Sequence, residues 1–119
     1  MPSGSSDTWL DAAAAVRHAV MFTDGVADVP RSAAFQTCGR GQAVQGVTLD
    51  VGPDGAARLA VAVVVEAGDG APPLSAVARL VRTAAEAAWA RVGLRDGTDA
   101  PVPLTVAVHL VDVANAPPV

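Results

Sequence analysis

The 119-residue chain sets 8 Lys and Arg residues against 12 Asp and Glu, for a net charge of −4 at pH 7. It therefore lacks the basic footprint of a nucleic-acid or anionic-membrane binder. Its 51% of hydrophobic residues includes only 3% aromatics, so a single domain of this length has to build its core from Val, Leu and Ala.

All eight cations are arginine, and lysine, isoleucine and tyrosine are missing, the bias a GC-rich bacterial genome would produce. The one cysteine, Cys38, excludes an internal disulfide framework and fits a reducing compartment.

In chain order, residues 1–6 read as a disordered lead-in without the cationic-then-apolar order of a secretory leader. Ser6 or Asp7 can cap a helix that runs through TWLDAAAAVRHAVMF. Trp9, Ala13, Val16 and Val20 share its apolar face, and Asp11 and Arg17 are left toward water. Gly25 is predicted to end it, because glycine accepts the left-handed conformation that closes helices. Residues 30–42 are the least legible, with an edge strand and a plain loop both open. Val47, Leu49 and Val51 then alternate with Thr48 and Asp50 as a strand with one buried face. GPDG supplies a turn, and residues 59–66 return as the second strand of a hairpin.

After the loop GDGAPP a second helix is predicted over residues 74–92. Its buried stripe is Leu74, Val77, Val81, Ala84, Ala85, Ala88 and Val92, with Arg79, Arg82 and Glu86 on the wet side. Gly93 and Leu94 end it, RDGTDAPVP forms a loop, residues 104–113 form the last strand, and residues 114–119 a disordered tail. The expected fold is a single α+β domain over residues 7–113. It has a small, mostly antiparallel sheet of three to four strands with two helices on one face. The longest apolar run, residues 59–65, falls far short of the roughly 20 residues that span a bilayer. The expectation is a soluble, cytoplasmic protein without direct membrane insertion.

Two helices cover only one side of such a sheet. By strand parity Leu59, Val61, Val63 and Val65 face the helices, as do Leu104, Val106, Val108 and Leu110. Ala60, Ala62, Val64, Thr105, Ala107, His109 and Val111 then form a bland, weakly apolar back face, not the polar one that water would favour. Exposed apolar patches often mark interfaces, so these seven residues are the candidate interface, and a homo-oligomer is the expected assembly. An arginine at Ala62 is expected to shift the protein toward monomer.

Chemistry is sparse elsewhere. TCGRGQ offers Cys38 beside Arg40, and Gly39 and Gly41 around that arginine, for an activated thiol or an anion cradle. No histidine stands at a recognisable spacing from Cys38, and a strand follows the loop where a phosphate loop needs a helix. Residues 38–41 are kept as the alternative, a small-ligand or regulatory module. No ligand spacing for a metal is present, DGTD at residues 96–99 reads as a turn, and Glu66 with Asp69 does not form an acid–base pair. Trp89 falls at helical steps from Val81 and Ala85, as a core or subunit-contact anchor does. No catalytic residue, cofactor or metal is assigned.

Taken together, GVTLDVGPDGAARLAVAVVVEAG, LSAVARLVRTAAEAAWARVGL and LTVAVHLVDV resemble the alkaline shock protein family of bacteria, the general-stress or envelope-stress-response family. The likeness is carried by Gly46-Val47, Val77-Ala78, Val81-Arg82, Gly93-Leu94 and the strand Val106 to Val113, with Gly25-Val26 matching the family's opening segment. It spans roughly residues 11–113. Ala67 stands where the family has an aromatic, and Asp112 where it commonly has glycine. The resemblance implies a small, non-enzymatic, self-associating cytoplasmic protein tied to envelope homeostasis or alkaline stress, held near the membrane in some members by a separate, membrane-anchored protein. His109 matches a position where that family often has histidine.

Overall fold

A computed structural model describes residues 5–31, 34–39, 42–52, 54–68, 70–92 and 102–115. The elements run α1 (Ser5–Met21), β1 (Val26–Asp28), β2 (Gln36–Gly39), β3 (Gln42–Gln45), β4 (Val47–Val51), β5 (Ala57–Ala67), α2 (Leu74–Val92) and β6 (Leu104–Asn115). The class is α+β, as the periodicities predict. The first helix takes in Ser5 and Ser6 and the last strand takes in Ala114 and Asn115. The expected domain limits at residues 7 and 113 therefore fall inside elements.

β5 organises the main sheet. β4 pairs antiparallel with its first half, from Val47 opposite Val61 to Val51 opposite Ala57. β1 pairs antiparallel near its end, with Val26 opposite Val65. β6 runs along the other edge for the full length, from Leu104 opposite Ala57 to Asn115 opposite Ala67, and this pairing is parallel. Parallel neighbours need a crossover, and α2 provides it. The sheet is thus antiparallel on one side of β5 and parallel on the other.

The core forms on the helix side. Leu59, Val61, Val63 and Val65 of β5 pack with Ala12, Ala13, Val16 and Val20 of α1, and with Val77, Val81, Ala85, Ala88 and Trp89 of α2. The stripe predicted for α2 needs correction at its ends, because Leu74 and Val92 are exposed. Trp89 is buried instead, and its indole N–H donates to the Val102 carbonyl at 2.6 Å. Trp9 lies in α1. The α1 C-terminus closes as expected. The Phe22 N–H returns to the His18 carbonyl, the Thr23 hydroxyl donates to the Ala19 carbonyl, and Gly25 takes a φ of 87°. A Cβ on Gly25 would stand 2.6 Å from Val77 Cγ2 and 2.8 Å from Pro72 Cγ, so this turn seats against the first turn of α2.

Arg17 is not left to water. Its Nε donates to the Gln45 carbonyl at 2.9 Å and one terminal nitrogen to the Val29 carbonyl at 2.7 Å. The guanidinium therefore ties α1 to the chain after β1 and to the end of β3, using the planar fork that distinguishes arginine from lysine.

The stretch that was illegible holds a strand. β2 and β3 form a separate antiparallel pair, with Gln36 opposite Gln45 and Gly39 opposite Gln42. β2 is fastened to the outer side of β4 by hydroxyls in place of a ladder. Buried Thr37 donates to the Val47 carbonyl at 3.0 Å and accepts from the Leu49 N–H at 3.1 Å, and the Gln36 N–H donates to the Thr48 hydroxyl. Threonine is the residue type for this, since one hydroxyl both gives and takes. Thr37→Val keeps the shape and strands both backbone groups. It is expected to cost about 1–3 kcal/mol in urea unfolding, and an unchanged midpoint would show that water replaces the hydroxyl.

Candidate functional site

The candidate surface is the side of the sheet turned away from the helices, together with the outer edge of β6. The alternation of β5 places its Val and Leu residues on the helices, as expected. Ala60 and Val64 are half-buried on the far side. Thr105, Ala107 and His109 are exposed. Ala62, however, is only 1% exposed.

The reason lies in one row across the sheet. The Gly46 N–H donates to the Phe35 carbonyl at 2.7 Å, the Ala62 N–H donates to the Gly46 carbonyl at 3.1 Å, and Ala62 stands opposite His109. The row therefore reads Phe35, Gly46, Ala62, His109. The two outer members carry rings, and the two inner ones carry nothing or a methyl group. The Phe35 ring reaches the His109 ring, with centroids 5.1 Å apart and planes tilted at 55°. Phe35 accounts for the burial of Ala62, and Ala62 is corrected out of the directly accessible surface. An arginine there would have to displace Phe35, so it does not test the surface cleanly. Ala107 is the better position.

At the hairpin end, the far side opens into a shallow hollow of about 370 Å³ lined by Thr48, Asp50, Arg58, Ala60, Thr105 and Ala107. The Arg58–Asp50 pair across it, at 3.4 Å and 60% exposed on both partners, is a solvated contact of small worth.

Strict alternation fails at the far end of β6. Val63 stands opposite Leu110, but Val64 stands opposite Asp112, so β6 carries an extra residue at Val111. This is a β-bulge. Beyond it the faces exchange. Asp112 joins His109 on the far side, and Val113 joins Leu110 on the helix side. Val111 was expected on the back face by parity, and it lies instead at the bulge, 48% exposed. The helix layer covers Val106 and half-covers Val108, then leaves Leu110 at 46% and Val113 at 40% exposed. Among the described residues, β6 pairs with β5 alone. No other described strand pairs with its outer edge.

Phe35 and the bulge escaped the sequence reading. Phe35 sits in a stretch without periodicity. Its one signal is that it is a rare aromatic in an aromatic-poor chain. The bulge did leave a trace: Asp112 is a carboxylate at a position that parity assigns to the core.

The other candidates gain little. Cys38 is exposed, while Arg40 and Gly41 of the glycine loop lie outside the described residues, as do Asp69, Gly93, Leu94 and residues 96–99. Among the described residues no cluster of His, Cys, Asp or Glu could hold a metal ion, and no buried side-chain nitrogen or oxygen lacks a partner. A groove of about 480 Å³ between α1 and β3 is lined by Arg17, His18, Phe22, Arg31 and Val44. Arg17 is committed to backbone carbonyls, and His18 rests on Phe22 at 4.8 Å. Among the described residues the groove has no convergent set of free polar groups of the kind small-molecule sites use.

No protein-family model matches the chain, nor does any curated protein or any solved structure. Among the described residues no helix is long and apolar enough to cross a membrane.

Proposed function

We propose that this chain is a non-enzymatic, self-associating domain that works by surface contact. The assignment to cytoplasmic stress response or cell-envelope homeostasis rests on its resemblance to the alkaline shock proteins. A membrane-anchored protein is the partner that would hold it at the envelope. The observation that carries the reading is the outer strand. Leu110, Val111 and Val113 are 40–48% exposed along a sheet edge that no described strand covers, on the same strand as the exposed, uncharged Thr105 and Ala107. Soluble domains normally protect such an edge with lysine, proline or a short strand. β6 runs for 12 residues, and Asp112 is its only carboxylate or ammonium group.

The test is absolute mass in solution over a concentration series, by light scattering or sedimentation. A dimer or larger species is expected. Ala107→Arg, at an exposed position on the same surface, is expected to lower the mass while leaving the circular dichroism spectrum and the unfolding midpoint unchanged. A monomer at all concentrations would overturn the proposal.

A further inference from the structure

We infer that the partner on the free edge of β6 is the same edge of a second copy, paired antiparallel about a two-fold axis placed at the bulge. This rests on the self-association proposed above and specifies its geometry.

Three observations converge on it. First, the edge is long and open, and main-chain N–H and C=O groups on such an edge can template another strand. A bulge can also blunt an edge by twisting it, but here Leu110, Val111 and Val113, before, at and after the bulge, stay 40–48% exposed. Second, the bulge restricts the register. A two-fold axis perpendicular to the sheet sets each residue opposite a partner residue on the same face. In an unbroken strand such partners are an even number of positions apart. Across the bulge they are an odd number apart. An axis centred between Leu110 and Val111 meets that condition for every pair it generates away from the centre.

Third, those pairs match in character. Val108 meets Val113 on the helix side, and Leu110 meets Val111 at the axis. His109 meets Asp112 on the far side, and because the contact is isologous it occurs twice. The imidazole N–H donates to the carboxylate in each. His109 and Asp112 share a face only because of the bulge: His109 is opposite Ala62 and Asp112 opposite Val64. One Asp112 carboxylate oxygen accepts the Val113 N–H at 2.8 Å, and this contact has to open for the Val113 N–H to pair across the seam. Complementary partners directly opposite on a sheet stabilise the pairing and matched ones do not. The product is one continuous sheet across two copies, with both pairs of helices on the same side.

The experiment measures the dimer dissociation constant by sedimentation for wild type, Asp112→His, and the exchanged double variant His109→Asp/Asp112→His. Asp112→His sets imidazole against imidazole at both ends and leaves the Phe35–His109 contact intact. It is expected to weaken the dimer up to about tenfold, and the exchange is expected to restore most of that. As a readout independent of substitution, backbone amides in residues 106–115 are expected to gain hydrogen-exchange protection as concentration rises. A wild-type protein that stays monomeric overturns self-association itself. A dimer that Asp112→His leaves unchanged, or weakens without restoration by the exchange, overturns this register alone. So does a dimer whose β6 amides stay unprotected.

Discussion

Gly46→Ala is expected to destabilise the protein by about 3 kcal/mol or more, the sum of two independent penalties. Gly46 has a φ of 99°, outside the range L side chains tolerate, and such a residue stores about 1–3 kcal/mol of backbone strain. A Cβ at this position would also stand 2.7 Å from Val29 Cγ1 and 3.1 Å from the Pro30 carbonyl oxygen. Neither can retreat easily. Val29 is fully buried, and its carbonyl is held by Arg17. Overpacking of this kind costs a further 1–3 kcal/mol or so. Against the roughly 5–15 kcal/mol that a domain has in total, the loss is large. The urea midpoint should fall well below wild type. Hydrogen exchange should quicken first at residues 42–47, where Arg17 and the Phe35 carbonyl anchor the chain. An unchanged midpoint would mean that the positive φ is not required.

Trp89→Ala is the second large effect, with an expected loss of about 3–5 kcal/mol for an aromatic side chain removed from a closed core. Trp89 is 3% exposed in a core otherwise made of Val, Leu and Ala, so no neighbour is large enough to fill the void. Trp89→Phe separates packing from hydrogen bonding. It retains most of the volume and removes the N–H that reaches the Val102 carbonyl. That group sits just before β6, where the Pro103 carbonyl accepts the Ala57 N–H at 2.8 Å. The phenylalanine variant should stay folded, lose about 1–3 kcal/mol, and show faster exchange at residues 104–106. Equal losses in the two variants would show that the hydrogen bond, not the bulk, fixes the start of β6.

These effects fall where the sequence is readable to different degrees. The hairpin of β4 and β5, the two helices and the helix stop at Gly25 were legible because each rests on local periodicity or on one glycine. The identity of the inward set on β5 was legible for the same reason. Three features were not. The parallel pairing of β6 depends on the path of α2, and alternation within a strand carries no record of the direction of its neighbour. β2 escaped because threonine hydroxyls hold it, and QTCG has no apolar period. Arg17 looked solvated because its partners are carbonyls of Val29 and Gln45, which a helical wheel does not contain. The candidate surface was half legible. Parity found the right face of β5 and of the first part of β6. It could not find that Phe35 crosses over Gly46 to shelter Ala62, nor that the extra residue at Val111 reverses the end of the strand.

The parallel pairing also sets an order of events during synthesis. β5 can pair with β4 once residue 67 has emerged from the ribosome, because the two strands are consecutive in the chain. Its other edge belongs to β6 and stays bare until residues 104–115 have emerged in turn. In that interval the ribosome presents a valine-rich strand with one side unsatisfied, and such transient edges are the species that misassociate when folding is slow. Several such chains on one messenger would bring these edges close together. The yield of soluble protein should therefore depend more on how promptly the segment after α2 is translated than on the stability of the finished fold.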